Sequence, residues 1–151
     1  MAFVRCSNSG GGVSSLKDFY RDKVLNGTFD VTLDITPNAQ RITLNEGGKV
    51  GIDTTNRIGY FYVDCTTIVA SVTNDWRVFG SFGSAFSNYL PRFASNTRNY
   101  QVSLTVDETS DSTPCCFLGY GSSSNPRVFG TGYAETFAIG DRIIAYGSWT
   151  Y

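Results

Sequence analysis

With 151 residues, a formal charge of −1 and a pI near 5.3, the chain is sized for one domain. It lacks the basic excess by which proteins grip nucleic acid or anionic membranes. Histidine is absent, which removes the commonest catalytic base and metal ligand and excludes Ser–His–Asp and Cys–His chemistry.

Charged residues make up 17%, below the roughly 25% of ordinary soluble domains, while aromatics reach 15%. That balance fits either a surface partly covered by a partner or an unusually aromatic core. Gly, Ser, Thr and Asn supply 58 of the 151 residues, a make-up common outside cells and in rigid assemblies. The opening residues nevertheless hold no apolar run of signal-peptide length, so synthesis in the cytosol is expected. No stretch approaches the ~18 apolar residues of a membrane span. The densest, residues 58–72, is broken by Gly59, Asp64, Thr66 and Thr67, so membrane insertion is not expected.

Residues 1–15 read as an N-terminal arm and a Gly/Ser linker, with Phe3 and Val4 either a frayed end or an arm that docks on a neighbour. Residues 16–151 read as a single β domain. Residues 15–25 fit two patterns. Ser15 with Asp18 resembles a capping box, and Leu16, Phe19, Tyr20 and Val24 form a helical stripe. Asn26-Gly27 equally fits the turn of a hairpin.

After Gly27 the chain reads as strand after strand. Residues 29–35 alternate without error. Pro37-Asn38 marks a turn, residues 41–44 a short strand, and Glu46-Gly47-Gly48 a turn into residues 49–52. Residues 58–72 are too long for one regular strand and should bend near Thr66-Thr67. Strands follow at residues 76–82, 100–106, 115–120, 127–129 and 142–149. Residues 83–99 form the longest irregular loop. Arg77-Val78-Phe79-Gly80 recurs as Arg127-Val128-Phe129-Gly130, which reads as two similarly placed strand ends. The expected fold is all-β: a β-sandwich or jelly-roll-like domain of eight to ten strands, with one short N-terminal helix if residues 15–25 are helical.

Cys6, Cys65, Cys115 and Cys116 form no Cys-x-x-Cys pair, and no His completes a zinc site. They read as buried free thiols, with a Cys65 bridge to Cys115 or Cys116 as the oxidised alternative. Lys17, Lys23 and Lys49 lie in no Ser–Lys motif. Asp30 and Asp34 share a strand face about 13 Å apart, too far for cooperating carboxyls. Asp107, Glu108 and Asp111 cluster without the spacing of a calcium loop. No enzymatic activity, metal or cofactor is expected.

The aromatics carry more information. Phe82, Phe86, Tyr89 and Phe93 crowd the long loop beside Arg92 and Arg98, the residue types of interface centres and sugar-stacking sites. With Phe3 and Val4 they form the candidate interface or ligand set. Residues 137–151 read as a turn and then a strand running to Tyr151, which ties that end into a sheet.

In the short arm before a Gly linker, the His-free Ser/Thr/Asn/aromatic body and the strand-final end, the chain resembles the small β-rich structural proteins of tailed bacteriophages. That resemblance rests on composition and layout and transfers no residue roles. It implies a virion component made in the host cytoplasm and released by lysis, on the capsid surface as decoration or head fibre, or in the tail apparatus. It also implies a homo-oligomer, a trimer for preference, in contact with other virion proteins. The alternative is a carbohydrate-binding, receptor-binding module that recognises a host surface glycan through residues 83–99.

Overall fold

A computed structural model of the chain describes residues 15–69, 77–91, 101–107, 116–119, 128–131 and 137–151. Residues 15–25 resolve as helix. α1 (Leu16–Asn26) starts on Ser15, whose Oγ accepts the Asp18 amide at 3.1 Å while the Asp18 carboxylate accepts the Ser15 amide at 3.4 Å. It ends at Gly27, where a Cβ would strike the Lys23 carbonyl.

The strands are β1 (Val31–Asp34), β2 (Thr36–Pro37), β3 (Ile42–Asp53), β4 (Ile58–Thr67), β5 (Arg77–Ser81), β6 (Gln101–Asp107), β7 (Cys116–Gly119), β8 (Val128–Thr131) and β9 (Arg142–Thr150). A 3₁₀ turn, Ser84–Tyr89, follows β5.

All pairings are antiparallel, in the order β1-β3-β4-β9-β6-β7-β8-β5-β2. The two ends of that order are one piece of chain, because β1 and β2 are separated by Ile35 alone. The sheet therefore curls until it closes on itself. Two strands make the corners, as in sandwiches whose strands switch sheets. The 31–37 stretch pairs with β3 through its first half and with β5 through its second. β6 pairs with β7 up to Leu104 and with β9 from Thr105.

Both corners are built by an apolar side chain set against glycine. Ile35 lies where a Cβ on Gly48 or Gly80 would stand, and Leu104 lies within 3.1 Å of where one on Gly147 would stand. Ile35 also donates its amide to the Gly48 carbonyl at 3.0 Å, so the corner keeps its backbone hydrogen bond.

Strand alternation sorts the side chains. Phe61, Val63 and Cys65 of β4 and Ile143, Ala145 and Trp149 of β9 point inward, to the main core. Tyr62 and Ile144 point outward, with Tyr146, and α1 covers them with Tyr20 and Val24 to make a second, smaller core. This explains why both faces of residues 60–63 are apolar or aromatic: β4 lies between two packed layers.

Several local expectations are corrected. Glu46-Gly47-Gly48 is not a turn; β3 runs through it with a bulge between Leu44 and Gly47, and Gly47 takes the left-handed φ of 106°. Pro37 is the last residue of β2 and not yet a turn. The two Arg-Val-Phe-Gly copies are neighbours: β5 and β8 pair, Val78 opposite Gly130 and Gly80 opposite Phe129. The all-β expectation holds, as a curled antiparallel sheet with one helix. Its jelly-roll part is not supported, since β3-β4, β6-β7 and β7-β8 are sequential neighbours and not the double Greek key of that fold.

Candidate functional site

The antiparallel register gives the curled sheet two ends. One holds the β3–β4 turn, residues 54–57, the last residue Tyr151 and the end of the 3₁₀ turn. There Asp53 captures both the backbone amide and the side-chain amide of Asn56, at 2.9 and 2.7 Å. Those bonds hold the Asp53 carboxyl below its ordinary range, the side-chain bond being the larger cause. They set Arg57 in the left-handed region at φ 56°, unusual for a residue with a Cβ.

Arg57 is then fixed to Tyr151 three ways. Its Nε donates to the Tyr151 carbonyl at 2.8 Å, its own carbonyl accepts the Tyr151 amide at 3.2 Å, and its guanidinium lies 5.2 Å from the ring centroid. Tyr89 meets the same ring edge-on at 5.4 Å. The Trp149 indole N–H donates to the Tyr89 carbonyl and so ties the 3₁₀ turn to β9. Arg57 is exposed and both tyrosines are half-buried. The result is a pre-positioned aromatic pair beside a cation.

The sequence-predicted set divides. Phe82 and Phe86 face inward: their rings lie 4.6 Å apart, Phe61 packs edge-on to Phe82, and Trp149 packs edge-on to Phe86. Both are buried in the main core, so within this chain they offer no surface. Tyr89 alone of the described members reaches the surface. Phe3, Val4, Arg92, Phe93 and Arg98 lie outside the described residues. Arg57 and Tyr151 were missed. Arg57 sits in a turn whose Asp-x-x-Asn pattern is legible, but its contact with a residue 94 positions away is not.

The opposite end gathers the start of β3, the end of β4 and the turn before β9. Thr67 exchanges backbone bonds with Gly140 and Asp141, and its hydroxyl donates to the Ala138 carbonyl at 2.6 Å. Ile68, Val69 and Ile139 are brought together there and are exposed at 40%, 39% and 69%.

Between the ends, the outer face carries the ion pairs. Asp64 is fully buried and takes a bidentate Arg142 fork at 3.0 and 2.7 Å, plus the Asn45 amide at 2.8 Å. Burial alone would raise its pKa; the bonds from Arg142 and Asn45 outweigh burial and hold it below the ordinary carboxylate range. Arg21 of α1 grips Glu46 at 2.7 and 2.8 Å and fastens the helix across the β3 bulge. Burial raises the phenols of Tyr62 and Tyr146, the latter donating to Asp107 at 2.8 Å.

Cys65 and Cys116 are buried and not joined to each other, and burial pushes the Cys65 thiol up to about 12, far from a reactive thiolate. Cys6 and Cys115 lie outside the described residues. Asp30 spends its carboxylate on Thr54, at 3.0 Å to the amide and 2.7 Å to the hydroxyl. Among the described residues no group of three or more Cys, Asp or Glu side chains is placed to hold a metal ion, and no helix is long and apolar enough to cross a membrane. Compared with protein-family models, curated proteins and solved structures, the chain matches none.

Proposed function

We propose that the chain is a non-enzymatic structural component of a virion, of the tailed-phage kind, that works through contacts with copies of itself and with neighbouring virion proteins. The observation that carries this reading is the end formed by Tyr89, Tyr151 and Arg57. Half-exposed tyrosines beside a fixed guanidinium are what the centres of protein interfaces use. Closure of the sheet supports it indirectly. With the order returning on itself through Ile35, the strands paired on one side only are the short β1 and β2, so broad contacts fall to the ends and the faces.

Light scattering on the purified chain, with electron microscopy of particles carrying it, tests the reading. The expected result is an oligomer, a trimer for preference, that dissociates on Arg57→Ala or Tyr151→Ala while circular dichroism keeps its β signal. A monomer at high concentration that binds no virion protein would sink it.

A second reading uses the same end: recognition of a host surface glycan, with the Tyr89 ring as the stacking platform. A glycan array decides between the two. Binding lost on Tyr89→Ala favours the glycan, and an empty array at high protein concentration removes it.

A further inference from the structure

We infer that residues 1–6 of the chain cover the apolar end formed by Ile68, Val69 and Ile139 on the same molecule. This goes beyond the assembly reading, which concerns the opposite end, and does not depend on it. Two observations converge.

First, the large hydrophobic side chains that are exposed among the described residues are Leu16, Ile68, Val69 and Ile139. The last three are adjacent, because the Gly140 amide donates to the Thr67 carbonyl at 2.8 Å and Thr67 donates back to Asp141 at 2.9 Å. Leu16 opens the helix at the same end. Lys17 is close enough to Asp64 to act on its charge, Arg21 reaches Glu46, and Lys23 at the far end of α1 lies over Tyr60. The helix thus runs from the apolar end towards the aromatic one, and the chain that precedes Ser15 enters the structure at the apolar end.

Second, size selects the occupant. Three side chains exposed to this degree offer on the order of 300 Å², against ~800 Å² per partner in a standard protein interface. That is too little for a second copy by itself and suits a short apolar peptide. Met1-Ala2-Phe3-Val4 is such a peptide. Residues 5–14, rich in Gly and Ser, have a composition whose mean span at this length is roughly 17 Å. The helix lies one layer, about 10 Å, from the sheet whose end carries the patch. Attachment through so short a link gives a millimolar effective concentration, which favours the chain's own arm over a neighbour's in dilute solution.

Cys6 supplies the test, in the full chain. Ala138→Cys places a thiol on the exposed turn beside Ile139. Thr55→Cys places a control thiol on the exposed turn of the opposite end. Under mild oxidation at low protein concentration, an intrachain bridge between Cys6 and the thiol introduced at position 138 is expected, mapped by peptide mass spectrometry, with at most a trace from position 55. Equal yields at the two positions, or bridges between chains only, would overturn the inference. In parallel, Phe3→Ser with Val4→Ser should raise the fluorescence of bound anilinonaphthalene sulfonate about two-fold or more, with the β-sheet signal unchanged. Fluorescence equal to that of the parent chain would overturn it as well.

Discussion

Asp64 shows how a single residue can be both expensive and required. Its side chain has no exposure, while its partner Arg142 is half exposed, so the two halves of the pair are not equivalent. Arg142→Ala leaves a buried carboxylate that keeps the Asn45 bond but loses its guanidinium fork, and should cost about 3 kcal/mol in urea unfolding. Asp64→Asn leaves a guanidinium that water can reach and should cost less. Because the folded pKa of Asp64 is depressed, its stabilising contribution is present above the unfolded value of about 3.9 and is lost as pH falls through the folded value. The fall in stability below about pH 4 should therefore be shallower in Asp64→Asn than in the parent chain, and denaturant midpoints from about pH 2 to 7 check this.

At the scale of elements, α1 is held by its cap and by one face. Ser15→Ala removes the bond to the Asp18 amide and should cost about 1 kcal/mol by thermal denaturation. Tyr20→Phe should cost a similar ~1 kcal/mol, since the Tyr20 hydroxyl lies 2.8 Å from that of Ser148. β4 and β9 meet where Gly59 pairs with Trp149 and the indole lies across the space a Cβ would take. Gly59→Ala should cost about 1–3 kcal/mol by overpacking and alter Trp149 fluorescence.

Elements were the most legible level. The alternations at residues 29–35 and 100–106 appear as β1 and β6, and the Ser15–Asp18 spacing as a capping box, because period-2 burial and capping are set by near neighbours. The choice between helix and hairpin for residues 15–25 was not legible. It depends on Tyr20 and Val24 finding Tyr62, Ile144 and Tyr146, which lie far along the chain.

For the whole molecule, closure turns on one wedge. Ile35 fills the space above Gly48 and Gly80 where the 31–37 stretch passes from β3 to β5. Ile35→Ala should cost about 2–5 kcal/mol. It should also speed hydrogen exchange in β2 and β5 more than in β4 and β9, which are joined elsewhere. Equal acceleration throughout would show that the corner is not a separate seam. Pairing strands as distant as β4 and β9 also places folding in the millisecond-to-second range, measurable by stopped-flow on Trp149.

The sequence by itself determined that the chain is built from strands, roughly where each lies, that one helix was available, and that histidine chemistry is absent. Those properties follow from local periodicity, capping and composition. The tertiary structure decided which aromatics are spent inside. Phe82 and Phe86 look the same as Tyr89 in sequence, but the first two are packed against Phe61 and Trp149 while Tyr89 meets Tyr151 at the surface. It also decided that Arg57 belongs with Tyr151, that Ile139 lies beside Ile68, and that the strand order returns to its start at Ile35. Each of these joins residues far apart along the chain, and such contacts are fixed by strand register and by the space that glycine leaves for a neighbour's side chain, neither of which is written in any local pattern.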